Sequence, residues 1–167
     1  TSNGRGSPAA IHLSENTSTV TTVTATYADL PAPTLTYSIS GGADAARFAI
    51  NASTGALSFV AAPDHEAPAD AGANNVYDVT VMVSDGSLTD TQAIAVTVTP
   101  VNDNAPVITS NGGGATASVN VAENGTAVTT VTANDADLPA QTLTYSISGG
   151  SDAALFTINA ATGVLSF

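Results

Sequence analysis

The sequence predicts an all-β protein built as a tandem Greek-key β-sandwich, and three observations support this fold class. Runs rich in Thr and Val alternate apolar and polar residues with the period of two that is typical of half-buried strands. Turn-favouring Gly, Pro, Asn or Asp residues bound each run. No stretch shows a sustained helical period. Seven short strands in a unit of roughly 100 residues are typical of a Greek-key sandwich.

The individual strands follow from these runs in chain order. The alternation of apolar and polar residues is clearest in Thr19–Ala25 and Tyr77–Val83. Gly55 is predicted to end a hairpin loop, because glycine readily adopts a positive φ. The predicted strands are 10–13, 18–26, 34–39, 47–50, 56–60, 76–84 and 91–99. The predicted core consists of Leu35, Tyr37, Ile39, Phe48, Ile50, Leu57 and Phe59, facing Val79, Val81, Val83, Ile94, Val96 and Val98.

An internal repeat with a spacing of 108 residues divides the chain. Leu35–Gly42 recurs as Leu143–Gly150, and Leu57–Phe59 recurs as Leu165–Phe167. We therefore expect a complete repeat with its linker over residues 1–107, and the first five strands of a second, truncated repeat over residues 108–167. Such a chain is expected to be a piece of a longer array. Exchange of the near-identical halves 1–59 and 109–167 between copies is the alternative.

Composition and charge exclude several classes of protein. The 167 residues include 14 Asp and Glu against two Lys and Arg, for a formal net charge of −12 at pH 7. Without a basic face, the chain is not expected to bind nucleic acid or anionic lipid. It has no cysteine for disulfide or thiol chemistry, and no apolar run approaches the roughly 20 residues of a membrane span. No Gly-x-Ser-x-Gly motif accompanies its many serines, so we expect no enzyme.

The acidic residues collect in loops and at strand ends. Glu15 ends the first predicted strand, and the pair in Asp64–Glu66 lies between the fifth and sixth. Asn102–Asn104 joins the two repeats, and the pair in Asp135–Asp137 follows the second strand of repeat two. Carboxylates spaced i and i+2, with amide and carbonyl oxygens nearby, suit a hard cation that takes 6 to 8 oxygen ligands. Calcium fits best, because magnesium prefers tighter octahedral sites that retain water.

These motifs, in this order, resemble those of tandem cadherin repeats, and the richness in Thr, Ala and Val resembles the cadherin-like repeats of large bacterial surface proteins. The resemblance covers the whole chain. It implies an immunoglobulin-like sandwich of the cadherin type, with calcium bound between successive domains. The motifs that carry it are Glu15-Asn16, Leu35-Thr36-Tyr37-Ser38-Ile39, Asp64-His65-Glu66, Val83-Ser84-Asp85-Gly86, Asn102-Asp103-Asn104-Ala105-Pro106 and Asn134-Asp135-Ala136-Asp137.

Carried over residue by residue, the resemblance implies a calcium site at the junction of the repeats. The linker has Pro100 where the family usually has Asp, and the loop after the Asp pair is shortened to Leu138–Gln141, so two ions are better supported than three. The expected ligands are Glu15, Asp64 and Glu66 of repeat one, Val101, Asn102, Asp103 and Asn104 of the linker, and Asp135 and Asp137 of repeat two.

At the other end of repeat one, Tyr27 replaces the first Asp of the pair and leaves Asp29 with Asp85, so a weak or empty site is expected there. The ring of His65 is expected to point outward, as a surface residue rather than a catalytic base. The remaining acids considered are interpreted as solvated turn residues: Asp44, Asp70, Asp78, Asp90 and Asp152.

These expectations combine in a non-enzymatic, calcium-dependent structural and adhesion repeat that stiffens an extracellular, cell-surface protein or fibre. Its expected partners are neighbouring repeats of the same chain, together with a homophilic or glycan partner. Two alternatives remain, a carbohydrate-binding cadherin-like module and a filament subunit that assembles by strand exchange. A passive spacer that carries an enzyme elsewhere in its parent chain is a further reading.

Overall fold

The computed structural model describes residues 8–27 and 33–167, and it divides the chain into unit 1, which ends at Val101, and unit 2, Asn102–Phe167. The strands of unit 1 are β1 (Ala9–Ser14), β2 (Thr19–Thr22), β3 (Thr36–Gly41), β4 (Phe48–Ile50), β5 (Ala56–Phe59), β6 (Val76–Ser84) and β7 (Thr89–Thr99). Those of unit 2 are β8 (Val107–Ile108), β9 (Ala127–Thr130), β10 (Ala133–Asn134), β11 (Thr157–Ile158) and β12 (Val164–Ser166).

Unit 1 is a two-sheet sandwich. One sheet has the order β1-β7-β6-β3, with β1 parallel to β7 and the other pairs antiparallel, and the second sheet has the antiparallel order β2-β5-β4. Both belong to the all-β class that the period-two alternation predicts. The seven predicted strands are all present, and β6 has the predicted bounds, whereas β2 is shorter than the predicted 18–26.

The core of unit 1 lies between the inward faces of the two sheets. Phe59 stacks on Phe48 with ring centroids 4.5 Å apart and meets Tyr77 edge to face at 5.1 Å. Tyr77 is 1% exposed and was absent from the predicted core, whereas Leu35 and Val83, which were in it, are only half-buried. The buried cluster comprises Ala9, Val23, Phe48, Leu57, Phe59, Tyr77, Val79, Val81, Ile94, Val96 and Val98.

Unit 2 repeats the smaller sheet of unit 1. Strands β9, β12 and β11 pair in the order of their counterparts β2, β5 and β4, and β8 pairs with β10. The counterparts of β1 and β3, residues 117–122 and 144–149, lie outside the described strands of this unit. In unit 1, β1 is hydrogen-bonded to β7 and β3 to β6. Among the described residues, no strand of unit 2 corresponds to β6 or β7.

Candidate functional site

Glu15 follows the last residue of β1 and is held there by backbone hydrogen bonds. Its N–H donates to Thr99 O at 3.0 Å, which extends the pairing of β1 with β7 by one residue. Its carboxylate is 3% exposed and accepts the N–H of His65 at 2.7 Å and that of Val101 at 2.6 Å. Burial by itself raises the pKa of Glu15, but these N–H groups favour the anion and the pKa lies below its ordinary value.

The connection from β5 to β6 carries the next two expected ligands. Asp64 is exposed, and its Oδ1 accepts the N–H groups of Glu66 at 3.0 Å and Ala67 at 3.2 Å, which closes an Asx turn. Pro63 O accepts the N–H of Asn16 at 2.9 Å, and Asn16 has a φ of 61°, which its side chain tolerates better than most. The Asp64–Glu66 turn is therefore tied to the residues that follow β1.

His65 does not point outward as expected. Its side chain is 17% exposed, and its Nδ1 lies 3.5 Å from Oε1 of Glu66, whose side chain is 12% exposed. A carboxylate oxygen of Glu66 also lies within 4.8 Å of one of Glu15. Within unit 1 the fold thus brings together the expected ligands Glu15, Glu66 and Val101, because the ends of β1 and β7 and the β5–β6 connection meet at one end of the sandwich.

In unit 2, Asp137 is the centre of the corresponding group. Its carboxylate is 2% exposed and accepts Asn104 Nδ2–H at 2.8 Å, Asn104 N–H at 3.1 Å and the N–H of Asp103 at 3.5 Å. The hydrogen bond from the Asn104 side chain is the largest effect on the pKa of Asp137. It and the backbone donors outweigh burial, and the pKa lies below its ordinary value.

The remaining groups of unit 2 complete a network around this carboxylate. Asp135 Oδ1 accepts the N–H of Asp137 at 3.0 Å, and Asp103 Oδ1 accepts Asn104 Nδ2–H at 2.9 Å. Gln141 donates from Nε2 to Asp137 Oδ2 at 3.2 Å and accepts Asn102 Nδ2–H at its Oε1 at 2.7 Å. Gln141 was interpreted from the sequence only as the end of a shortened loop, so its contacts are new.

The opposite end of unit 1 has a different chemistry. Asp85 Oδ1 accepts the N–H groups of Ser87 and Leu88, both at 2.7 Å. These backbone donors, Leu88 first, lower the pKa of Asp85, and a side-chain hydrogen bond with Tyr27 adds to their effect. Tyr27 therefore interacts with an acid that the sequence placed in a weak or empty metal site. Asp29, the other acid of that expectation, lies outside the described residues.

Two acids that were interpreted as solvated are buried. Asp44 is 6% exposed and accepts the N–H groups of Ala71 at 2.7 Å and Asp78 at 2.8 Å. Asp70 is also 6% exposed, and its carboxylate accepts the N–H groups of Asn74 and Asn75, both at 3.0 Å. The interpretation was wrong for both, because each carboxylate satisfies backbone donors of the β5–β6 connection and, for Asp44, of β6 as well.

Comparison with known proteins identifies the family of these two units. The family model described as the cadherin domain matches residues 9–99 and 117–167. Human protocadherin Fat 1 is 34% identical over 136 residues, which cover 77% of this chain and 3% of that protein. Mouse protocadherin Fat 4 is 37% identical over 161 residues, covering 92% of this chain and 3% of that protein. The chain thus spans a few per cent of these relatives.

Solved structures agree with the sequence matches. The crystal structure of human protocadherin-24 EC1-2 superposes with a TM-score of 0.67 at 27% identity, covering 95% of this chain and 72% of that one. Human desmocollin-1 ectodomain superposes with a TM-score of 0.65 at 24% identity, covering 99% of this chain and 33% of that one, which supports the fold alone. Within the described residues, no helix has the length and apolarity needed to cross a membrane.

Proposed function

Because the chain belongs to the cadherin domain family, we propose that it is a calcium-dependent, non-enzymatic repeat that stiffens an extracellular adhesion protein. The observation that carries this proposal is the burial and hydrogen bonding of the Glu15 and Asp137 side chains. Each is a nearly buried carboxylate held by backbone N–H groups, one at the end of unit 1 and one in unit 2. Carboxylates fixed in this way are ready to accept a cation without first becoming ordered.

The donor set fits calcium. Carboxylate and amide oxygens make up the proposed ligands, and no cysteine is present to favour a softer metal. Calcium accepts mixed carboxylate, amide and backbone oxygens at irregular angles, as expected of ligands that come from loops. The proposed ligands, at two calcium ions, are Glu15, Asp64, Glu66, Val101, Asn102, Asp103, Asn104, Asp135 and Asp137.

In this proposal the chain's own residues act in two ways. The six carboxylates of the ligand set repel one another when no cation is present, which favours movement about the Asn102–Asn104 linker. When bound, calcium supplies positive charge that all six share, and the repeats become coupled through their common ligands. Binding to the folded state also raises the stability of each unit that contributes ligands.

Calcium titration of the purified chain tests this function. We expect dissociation constants of about 10⁻⁵ to 10⁻³ M, the range of weak sensor and extracellular sites. The melting temperature should rise with saturating calcium relative to chelator, and small-angle scattering should show a narrower distribution of interatomic distances. An unchanged melting temperature and scattering curve at 10 mM-scale calcium, about 10 times the weakest expected constant, would contradict the proposal.

Two charge-matched variants separate site binding from general screening. Asp103→Asn removes one carboxylate of the proposed set and should weaken calcium binding by about tenfold or more. Asp90→Asn removes the same charge from an exposed residue of β7 outside the set and should leave binding unchanged. Equal weakening by both variants would show that calcium interacts only with the overall negative charge.

Adhesion by this chain is proposed to involve other cadherin repeats. Neighbouring repeats of the same polypeptide are the first partners, since the linker residues Asn102–Asn104 supply proposed ligands themselves. A homophilic contact between copies is the second, and analytical ultracentrifugation with and without calcium measures it. Calcium-dependent self-association supports the homophilic contact, whereas a monomer under both conditions contradicts it for this part of the protein.

A further inference from the structure

Gln141 joins two parts of unit 2 that carry proposed calcium ligands. Its amide oxygen accepts Asn102 Nδ2–H at 2.7 Å, and its amide nitrogen donates to Asp137 Oδ2 at 3.2 Å. Gln141 is exposed, whereas the carboxylate that it contacts is 2% exposed. The contact therefore adds little to the packing of unit 2, and its effect is on the orientation of the groups that it joins.

The linker segment Asn102–Asn104 is thereby attached to Asp137 at both ends. Asn104 donates to that carboxylate directly, from its N–H at 3.1 Å and from Nδ2 at 2.8 Å. Asn102 reaches the same carboxylate through Gln141. A three-residue segment held at both ends keeps fewer conformations than one held at a single end.

The internal repeat shows that Gln141 is specific to unit 2. The seven-residue segment Tyr27–Pro33 of repeat one corresponds to Asp135–Gln141 of repeat two, and the two segments differ only at their first and last positions. Asp135 replaces Tyr27, and Gln141 replaces Pro33, whose side chain offers no hydrogen bond. Repeat two, which follows the Asn-Asp-Asn linker, therefore has a carboxylate and an amide where repeat one has a phenol and a proline ring.

We propose that Gln141 is a positioning residue that holds the Asn102–Asn104 segment and the Asp137 carboxylate in the arrangement that binds calcium. The inference rests on the calcium-binding function proposed above. Residues hydrogen-bonded to metal ligands commonly change metal affinity by 10- to 100-fold when they are removed. Because Gln141 is exposed and one of several contacts to Asp137, we expect an effect near the lower limit, about tenfold.

Hydrogen exchange in metal-free buffer tests the contact without calcium. Gln141→Met removes both polar ends and keeps a side chain of similar length. We expect the Asn104 amide to exchange about tenfold faster in this variant, since its acceptor is less well fixed. The Val131 amide, which donates to Gly163 O at 2.8 Å elsewhere in unit 2, should be unchanged. Gln92→Met makes the same change at the other glutamine of the chain, a half-buried residue of β7 in unit 1, and as the control it should leave Asn104 exchange unchanged.

A cycle with Asn102→Ala shows whether the effect passes through the bridge. If Gln141 acts by holding Asn102, the two changes together should accelerate Asn104 exchange less than the product of their separate factors. Multiplying factors would mean that the two side chains act independently and would overturn the bridge.

Calorimetric calcium titration then tests the consequence for affinity. Gln141→Met should bind calcium about tenfold more weakly than the wild type, with the melting temperature in chelator unchanged. Faster exchange with unaltered affinity would overturn the positioning role, as would unaltered exchange with weaker binding, which would identify Gln141 as a direct ligand. If the wild type does not bind calcium, the proposed function fails, and with it the positioning for calcium; the metal-free exchange still decides whether the bridge exists.

Discussion

Asp44 and Asp152 occupy the same position in the two repeats but lie in different surroundings. Asp44 is 6% exposed and accepts N–H groups of the β5–β6 connection and of β6, whereas Asp152 is exposed. A buried donor that loses its acceptor costs about 1–3 kcal/mol. The same change of residue therefore has different consequences in the two units.

We expect Asp44→Ala to lower the free energy of unfolding of unit 1 by about 2–4 kcal/mol, because the N–H groups of Ala71 and Asp78 both lose their acceptor. Asp152→Ala is the matched control and should change stability by no more than about 0.5 kcal/mol. Urea denaturation followed by tyrosine fluorescence measures both. Equal effects of the two changes would show that burial of Asp44 does not stabilise unit 1.

The pKa of Glu15 gives a second prediction for a single residue. A carboxyl group whose pKa is lower in the folded state stabilises the fold above its unfolded pKa, 4.5 for a glutamate, and this stabilisation is lost as the pH falls through the folded value. In metal-depleted buffer, wild-type stability should thus decline below about pH 4.5. Glu15→Gln should be less stable at neutral pH and should decline less steeply on acidification.

Its control is Glu123→Gln, which changes the exposed counterpart of Glu15 in repeat two. This variant should follow the wild-type pH profile, measured as the melting temperature at each pH. A Glu15→Gln profile parallel to that of the wild type would mean that the N–H groups of His65 and Val101 do not favour the charged form.

The residue types of the proposed ligands follow from the sequence, but their contacts do not. The spacing of Asp135–Asp137 and of Asp64–Glu66 identifies oxygen-rich loops, since Asp, Asn, Ser, Gly and Pro are the residue types that favour turns. Asp44 and Asp70 look the same by that criterion, yet both are buried against backbone donors. The donor Ala71 lies 27 residues from Asp44, and the donor Asn75 lies five residues from Asp70. No sequence pattern indicates the contacts of Gln141, because a single amide has no periodicity or spacing that marks its role.

At the scale of elements, strand positions were predictable and the packing of a turn was not. The period of two locates β6 and β7 because each has one face in the core. Gly42, the residue after β3, has a φ of 109°, and a Cβ there would lie 2.5 Å from Val79 Cα of β6 and against Asp78 O. Gly150, its counterpart, has a φ of 119° and no atom within 4 Å of that position.

This difference predicts the outcome of two identical substitutions. Gly42→Ala and Gly150→Ala impose similar backbone strain, but only Gly42→Ala forces β3 and β6 apart. We expect Gly42→Ala to cost about 1–3 kcal/mol more than Gly150→Ala, the usual cost of overpacking. Chemical denaturation with hydrogen exchange of the β6 amides measures the difference, and equal costs would contradict close approach of the two strands.

At the scale of the whole molecule, the repeat length can be predicted from the sequence, because identical segments that lie 108 residues apart are recognisable without a structure. The core residues can be predicted from the sequence only in part. Tyr77 lies outside the predicted core because that core includes only the valines of the alternating run that Tyr77 begins, although its ring meets Phe59 in the centre of unit 1. Tertiary packing, rather than local pattern, decides where such a run enters the core.

The net charge of −12 leads to a prediction for the chain as a whole. Repulsion among exposed carboxylates acts over the Debye length, which falls from about 30 Å at 0.01 M salt to about 3 Å at 1 M. In chelator, the melting temperature should therefore rise as NaCl increases over that range. Two bound calcium ions would leave a net charge of −8, so the melting temperature of the calcium-bound chain should depend less on NaCl. The increase in melting temperature that calcium produces should therefore become smaller as NaCl increases.

A variant with the proposed site neutralised separates this electrostatic effect from other effects of salt. Combining Asp103→Asn with Asp135→Asn removes two of the six carboxylates in the proposed ligand set. The melting temperature of this double variant in chelator should rise less with NaCl than that of the wild type. Asp90→Asn combined with Asp152→Asn removes the same charge from exposed positions outside the set. An equal salt response in both double variants would show that the repulsion is spread over the surface; a weaker response only in the first would locate it in the proposed ligand set.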